Sequence, residues 1–266
     1  GFMSDEVTRA SVDALEMCMA SFDDLLGGLD ANEWSTQSLC PAWTTRGVAE
    51  HLGAIEAMLL GAEPGSMAES LPFERAGEWV SSVAGLSDAE FLDRYREVLT
   101  PRRAELAAMS IEELGRPSAT PVGPGTYARF MAIRVFDYWV HEQDVRRPLG
   151  RPGHESGPAA EIALDEVHRS LPYIVGKKVG LPDGKSISFT VSGPLERSMH
   201  VAVEGRAGLV DGLDSPDVSV SADSTTFVLL ACGRIDPEAE IAAGTIAWSG
   251  DDEWGAQAAR NLRFTM

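Results

Sequence analysis

The stretch "RVFDYWVHEQDVRR", residues 134–147, mixes Val135, Phe136, Tyr138, Trp139 and Val140 with Arg134, Asp137, His141 and Asp144. At about 100° per residue, Phe130, Arg134, Asp137, His141 and Asp144 fall within one sector of roughly 80° of a helix. Ile133, Val135, Phe136, Trp139 and Val140 occupy much of the remaining circumference. A helix that is apolar over most of its surface and polar along one stripe belongs inside a bundle, with the stripe facing a polar pocket. Asp137 and His141 are four residues apart, so both rise over the same turn, the spacing by which a helix offers two metal ligands. Arg134 and Asp144 lie three residues to either side and can steady the carboxylate or the imidazole. The same spacing also suits a plain Asp–His hydrogen bond and an Arg134–Asp137 ion pair.

Outward from this helix the first half of the chain keeps a helical period. Residues 5–29 place Val7, Ala10, Leu15, Cys18, Met19, Phe22, Leu25 and Leu26 at spacings of three and four. Pro41 then punctuates, Thr44 or Thr45 can cap, and Val48, Leu52, Ile55 and Leu59 form the face of a second helix. Residues 66–86 read as loop with one short helix, and a third helix is expected over 87–109. "RPSATPVGPG" supplies breakers before Thr126 opens the fourth helix, which "PLGRPG" ends; a fifth is expected over 159–175. From Lys185 the pattern changes. "SISFTVSG", "SMHVAVEG", "AGLVDG", "DVSVSAD" and "TIAWSG" read as strands, with helices at "STTFVLLACGR", "PEAEIAAG" and "DEWGAQAARNL". The fold class is therefore all-α followed by α+β, with the change of period falling near residues 150–185 and domains expected at 3–175 and 176–266.

Composition narrows the function classes. Hydrophobic residues make up 44% and charged ones 24% of the 266 residues, which fits a soluble globular chain and not a disordered one. Lys plus Arg number 22 against 41 Asp plus Glu, a net charge of −19. Nucleic acid and anionic membrane are not expected as partners, because phosphate contacts need clustered basic residues. Cys18, Cys40 and Cys232 are odd in number and widely spaced, which fits a reducing cytoplasm better than a disulfide framework. No apolar run is long enough to span a bilayer. "GFMSDEV" at the start looks like an expression remnant ahead of Met3.

Bundle metal sites draw ligands from facing helices, so Asp137 and His141 call for a third from elsewhere. The chain has five His. His154 falls in a Pro/Gly loop, His168 on the fifth helix and His200 on a strand, leaving His51 in "VAEHLGAIE" as the best candidate. Read alone, His51 is an ordinary core histidine.

Two segments, "SLCPAWTTRGVAEHLGAIEAMLL" (38–60) and "RVFDYWVHEQDVRRPLGRP" (134–152), together resemble the mycothiol-dependent maleylpyruvate isomerase family of the DinB/YfiT-like metalloenzyme superfamily. The first is similar to the family's Trp-Thr-x-x-x-[apolar]-x-x-His-[apolar] segment, with Trp43 and His51 in place. The second is similar to its acidic-x-x-x-His-x-x-Asp helix, with Asp137, His141 and Asp144 in place. "DSPDVSVSADSTTFVLLACGRIDPEAEIAAGTIAWSGDDEWGAQAARNL" looks like the sterol-carrier-like domain often attached to these enzymes.

The resemblance implies a DinB-like up-down four-helix bundle followed by a small sterol-carrier-like α+β domain. It implies that His51, Asp137 and His141 ligate a divalent metal, zinc above all, and that mycothiol is the cosubstrate. One departure stands out: the family pattern has Glu where this chain has Asp137. The shorter carboxylate requires a closer helix or a displaced metal. The implied activity is that of an S-transferase or cis/trans isomerase in which a metal-bound thiolate attacks a small electrophile. Arg134 and Asp144 are expected in supporting roles at the catalytic site, Arg134 against a substrate carboxylate or oxyanion or else in an ion pair. Cys40 reads as a small buried hydrophobe, and Trp43 and Trp139 as core aromatics. A hydrolase using activated water and a non-catalytic protein binding metal or an apolar ligand are the competing readings. Partners are expected to be a small thiol and an electrophile, with the chain a monomer or homodimer.

Overall fold

The computed structural model describes residues 5–265; the remnant expected ahead of Met3 lies outside them. They fall into two compact units that divide between His154 and Glu155. The first contains helices α1 (Asp5–Gly27), α2 (Ala31–Trp34), α3 (Thr45–Leu59), α4 (Phe73–Val83), α5 (Asp88–Ala107) and α6 (Ile111–Leu114). A two-residue ribbon of β1 (Pro117–Ser118) and β2 (Gly125–Thr126) then leads into α7 (Tyr127–Leu149). α1 packs along α7 and against α5, while α3 packs against α4, α5 and α7.

Local chemistry sets these boundaries. Thr44 caps α3 by accepting the Gly47 N–H, and Ser87 with Glu90 forms a capping box ahead of α5. Thr126 caps α7, and Gly150 ends it in the left-handed region that glycine adopts without a Cβ penalty (φ 63°). From Tyr138 to Val145 every residue of α7 is buried, so this helix runs through the core. Val7, expected on the inner face of α1, is instead 52% exposed, because the packed stripe begins only at Ser11 and Val12.

After α7 the chain folds back on it. Trp139 donates to the His154 carbonyl at 2.7 Å, Gln143 to that of Gly153 at 3.0 Å and Arg146 to that of Arg151 at 3.0 Å. His154 Nδ1 lies 3.0 Å from the buried Glu142, and its backbone is left-handed (φ 57°), rare for a non-glycine residue.

The second unit opens with α8 (Pro158–Tyr173), which continues into a π-helical turn, Ile174–Val179. Strands β3 (Ser186–Ser192), β4 (Arg197–Glu204), β5 (Arg206–Val210) and β6 (Val218–Asp223) are followed by α9 (Ser224–Ala231) and α10 (Pro237–Ala243). β7 (Ile246–Gly250) and α11 (Asp252–Arg260) complete it. The sheet order is β5-β4-β3-β6-β7, with only β3 and β6 parallel. Ile187, Phe189, Val191, Met199, Val201, Val218 and Val220 bury one face, as their alternation requires. α8, expected to close the first half, packs on β4, β5 and α9, and the units divide at 154/155, within the 150–185 span where the change of period falls. No helix among the described residues is long and apolar enough to cross a membrane.

Candidate metal centre

The site lies in the first unit, between α3, α7 and the loop before α3. That loop is closed on itself: the Ser38 hydroxyl and the Gln37 amide both donate to the Trp43 carbonyl, at 2.6 and 2.9 Å. The Leu39 N–H donates to the Asp144 carbonyl at 3.0 Å, which ties the loop to α7. Trp43 is thereby laid over His51, the rings stacked at 4.6 Å with 22° between planes, and 5.5 Å from the His141 ring. It walls the site and is half-buried, so the core role expected of it is corrected. Trp139, by contrast, is a core aromatic with 1% exposure.

Asp137 stands between the two imidazoles. Its Oδ2 is 3.1 Å from His51 Nε2 and its Oδ1 is 3.1 Å from His141 Nε2. The shorter carboxylate therefore reaches both rings. His51, Asp137 and His141 each offer a ligand atom, all within 4.8 Å of one another. His141 Nδ1 is held by Asp144 Oδ2 at 3.0 Å, so that Nε2 points at Asp137. Cys40 is buried, as expected of a small hydrophobe, but forms with His141 and Asp144 a second group of possible ligands under the same 4.8 Å limit.

Arg134 is almost fully buried and held in ion pairs. Its Nη1 donates to Asp137 Oδ2 at 2.5 Å, and its Nε and Nη2 donate to Glu56 Oε2 at 3.2 and 3.0 Å. Glu56 Oε1 accepts from Arg102 Nε at 3.0 Å, and Arg102 also donates to the Tyr127 hydroxyl at 2.6 Å and to Glu105 at 2.9 Å.

These contacts set the charges. Burial alone would raise the Asp137 carboxyl, yet His141, His51 and Arg134 hold it well below the usual carboxylate range. Burial likewise works against a charged His141, but Asp137 and Asp144 outweigh it and push the imidazole up to about 9. Two imidazole nitrogens and one carboxylate oxygen form the donor set of catalytic zinc sites, which leave a coordination position open.

The model of the mycothiol maleylpyruvate isomerase N-terminal domain matches residues 15–146, and that of the corresponding C-terminal domain matches 161–257. The chain belongs to the mycothiol maleylpyruvate isomerase family. The N-terminal family match contains His51, Arg134, Asp137, His141 and Asp144. Among solved structures, the crystal structure of the mycothiol-dependent maleylpyruvate isomerase is similar at TM-score 0.60 and 16% identity, covering 91% of this chain and 92% of that one. A histidine-to-alanine mutant of that isomerase is similar at TM-score 0.58 and 17% identity, over the same shares of both chains. At such identities the likeness is one of fold. The apo form of sterol carrier protein 2 from Yarrowia lipolytica is found at TM-score 0.29 and 14% identity, over 36% of this chain and 84% of that one, too low to build on. No curated protein sequence matches the chain.

Sequence reading passed over Glu56 and Arg102, both fully buried. A signal for Glu56 existed: it sits four residues after Leu52 and three before Leu59, a carboxylate on the apolar face of α3. Arg102 had none, lying in the charged run "DRYREVLTPRRAE", which reads as a solvated face.

Proposed function

We propose that this protein is a mycothiol-using isomerase whose His51, Asp137 and His141 hold a divalent cation, with zinc suggested by the donor set. The convergence of these three side chains in the unit matched by the family's N-terminal model carries the reading. The cation, when bound, favours the ionised form of a thiol, the competent nucleophile. In the proposed reaction the sulfur of the thiol forms a bond to an electrophilic carbon of a conjugated cis substrate, and the double-bond electrons move toward the activating group. The former double bond turns as a single bond, and expulsion of the sulfur restores it as trans.

The chain's own residues orient this chemistry. Asp144 fixes the tautomer and direction of His141. Trp43 holds the His51 ring by stacking on it. Arg134 holds Asp137 and takes no part at the substrate. In this reading α1, α3, α5 and α7 constitute a DinB-like up-down four-helix bundle, and the second unit is a sterol-carrier-like α+β domain. Three buried cysteines, none in a disulfide, fit a cytoplasmic setting.

The test is metal content, together with mycothiol-dependent isomerisation of maleylpyruvate, for the native protein and for His51→Ala. The native protein should carry stoichiometric metal and require the thiol, and the variant should lose both metal and turnover. Equal metal in the two proteins, or undiminished turnover without any thiol, overturns the proposal.

A further inference from the structure

The buried charges that end on Asp137 extend far beyond the ligands. Glu105, Arg102, Glu56, Arg134 and Asp137 follow one another with alternating sign, crossing from α5 through α3 to α7. Glu56 and Arg102 are completely buried and Arg134 is 4% exposed. Hydrophobic residues of equal volume often stabilise a core as well as such ions do, so stability alone does not account for them. Their arrangement has a direction. Arg134 places two of its nitrogens on one oxygen of Glu56, which leaves Nη1 aimed at Asp137. The other Glu56 oxygen is taken by Arg102, so Glu56 cannot turn without breaking a buried bond.

We infer that Glu56 is a positioning residue for the metal centre: it neutralises Arg134 and fixes its rotamer, so that Asp137 is gripped at one oxygen and keeps its negative charge for the cation. The inference rests on the reading of His51, Asp137 and His141 as ligands. Without the Glu56 charge, Arg134 is balanced by Asp137 alone. The guanidinium then draws harder on the ligand and adds an uncompensated positive charge beside the cation, and both effects weaken metal binding. Geometry matters as well as charge, because a lysine ammonium is a point donor and cannot span Glu56 and Asp137 as the guanidinium fork does.

The experiment is titration of the metal-free protein with Zn(II) against a chromophoric chelator, with far-UV circular dichroism and melting of each metal-free variant in parallel. Glu56→Gln should bind zinc about 10- to 100-fold more weakly than the native chain. Arg134→Lys, which keeps the charge, should lose a comparable factor. A Glu56→Gln protein that melts earlier but binds zinc with native affinity would show a merely structural role and overturn the inference. Should that variant fail to fold, Arg134→Lys decides by the same criterion. Native zinc affinity in His51→Ala overturns the ligand assignment itself, a result distinct from failure of the Glu56 role.

Discussion

Asp144 is fully buried, and its contact with His141 Nδ1 fixes which ring nitrogen faces Asp137. Asp144→Ala should leave the helix intact, alanine being the better helix former, yet weaken zinc binding about 10- to 100-fold as the ring is freed. Chelator competition measures this, and an unchanged affinity would remove Asp144 from the site. His141 also makes a pH prediction for the metal-free protein. Its folded value is raised to about 9 from an ordinary 6.5. Stability from a group raised in this way is fully present below the ordinary value and is lost as pH rises through the folded one. The chelator-treated protein should therefore melt at progressively lower temperature from about pH 6.5 to about pH 9. His141→Gln should flatten that slope. At this scale the stripe of Arg134, Asp137, His141 and Asp144 was legible from period alone, because one helix carries it. Trp43 was misjudged since nothing in its own segment shows that the loop folds it over His51.

Helix α3 meets α4 at Gly53, where the packing is tighter than helix preference alone suggests. A Cβ at Gly53 would lie 2.5 Å from Trp79 Cη2 and 3.1 Å from Tyr95 Cδ2. Alanine gains about 1 kcal/mol over glycine in a helix, but overpacking costs about 1–3 kcal/mol. Gly53→Ala should therefore lower the melting temperature, whereas Gly77→Ala in α4, where a Cβ meets nothing within 4 Å, should raise it. Equal shifts in the two variants would show that α4 yields freely. Elements with strong local signals matched their expected places: Ser87 and Glu90 cap α5, and the alternation in "SISFTVS" appears as β3. The β1–β2 ribbon escaped because two residues per strand carry no period. The unit to which α8 belongs was equally hidden, since an apolar face does not say whether helices or a sheet will cover it.

Over the whole molecule, 41 acidic residues face 22 basic ones. Repulsion of this kind loosens a compact state and is screened by salt. Raising ionic strength from about 0.01 M to about 0.15 M shortens the screening length roughly fourfold, so the melting temperature should rise over that range. A flat profile would mean that the surface ion pairs already balance the excess. The two-part division was legible as a change of period, but α8 was grouped with the first half because it shares that half's helical pattern while packing on the sheet of the second unit. The clasp formed by residues 151–154 has a kinetic consequence. Trp139, Glu142, Gln143 and Arg146, which bind it, interleave with Asp137, His141 and Asp144 along the same turns of α7. Residues 151–154 are thus expected to open with α7 as one cooperative unit. The last residues of the first unit should therefore be protected from exchange and from proteases to the degree that α7 is, which hydrogen exchange measures.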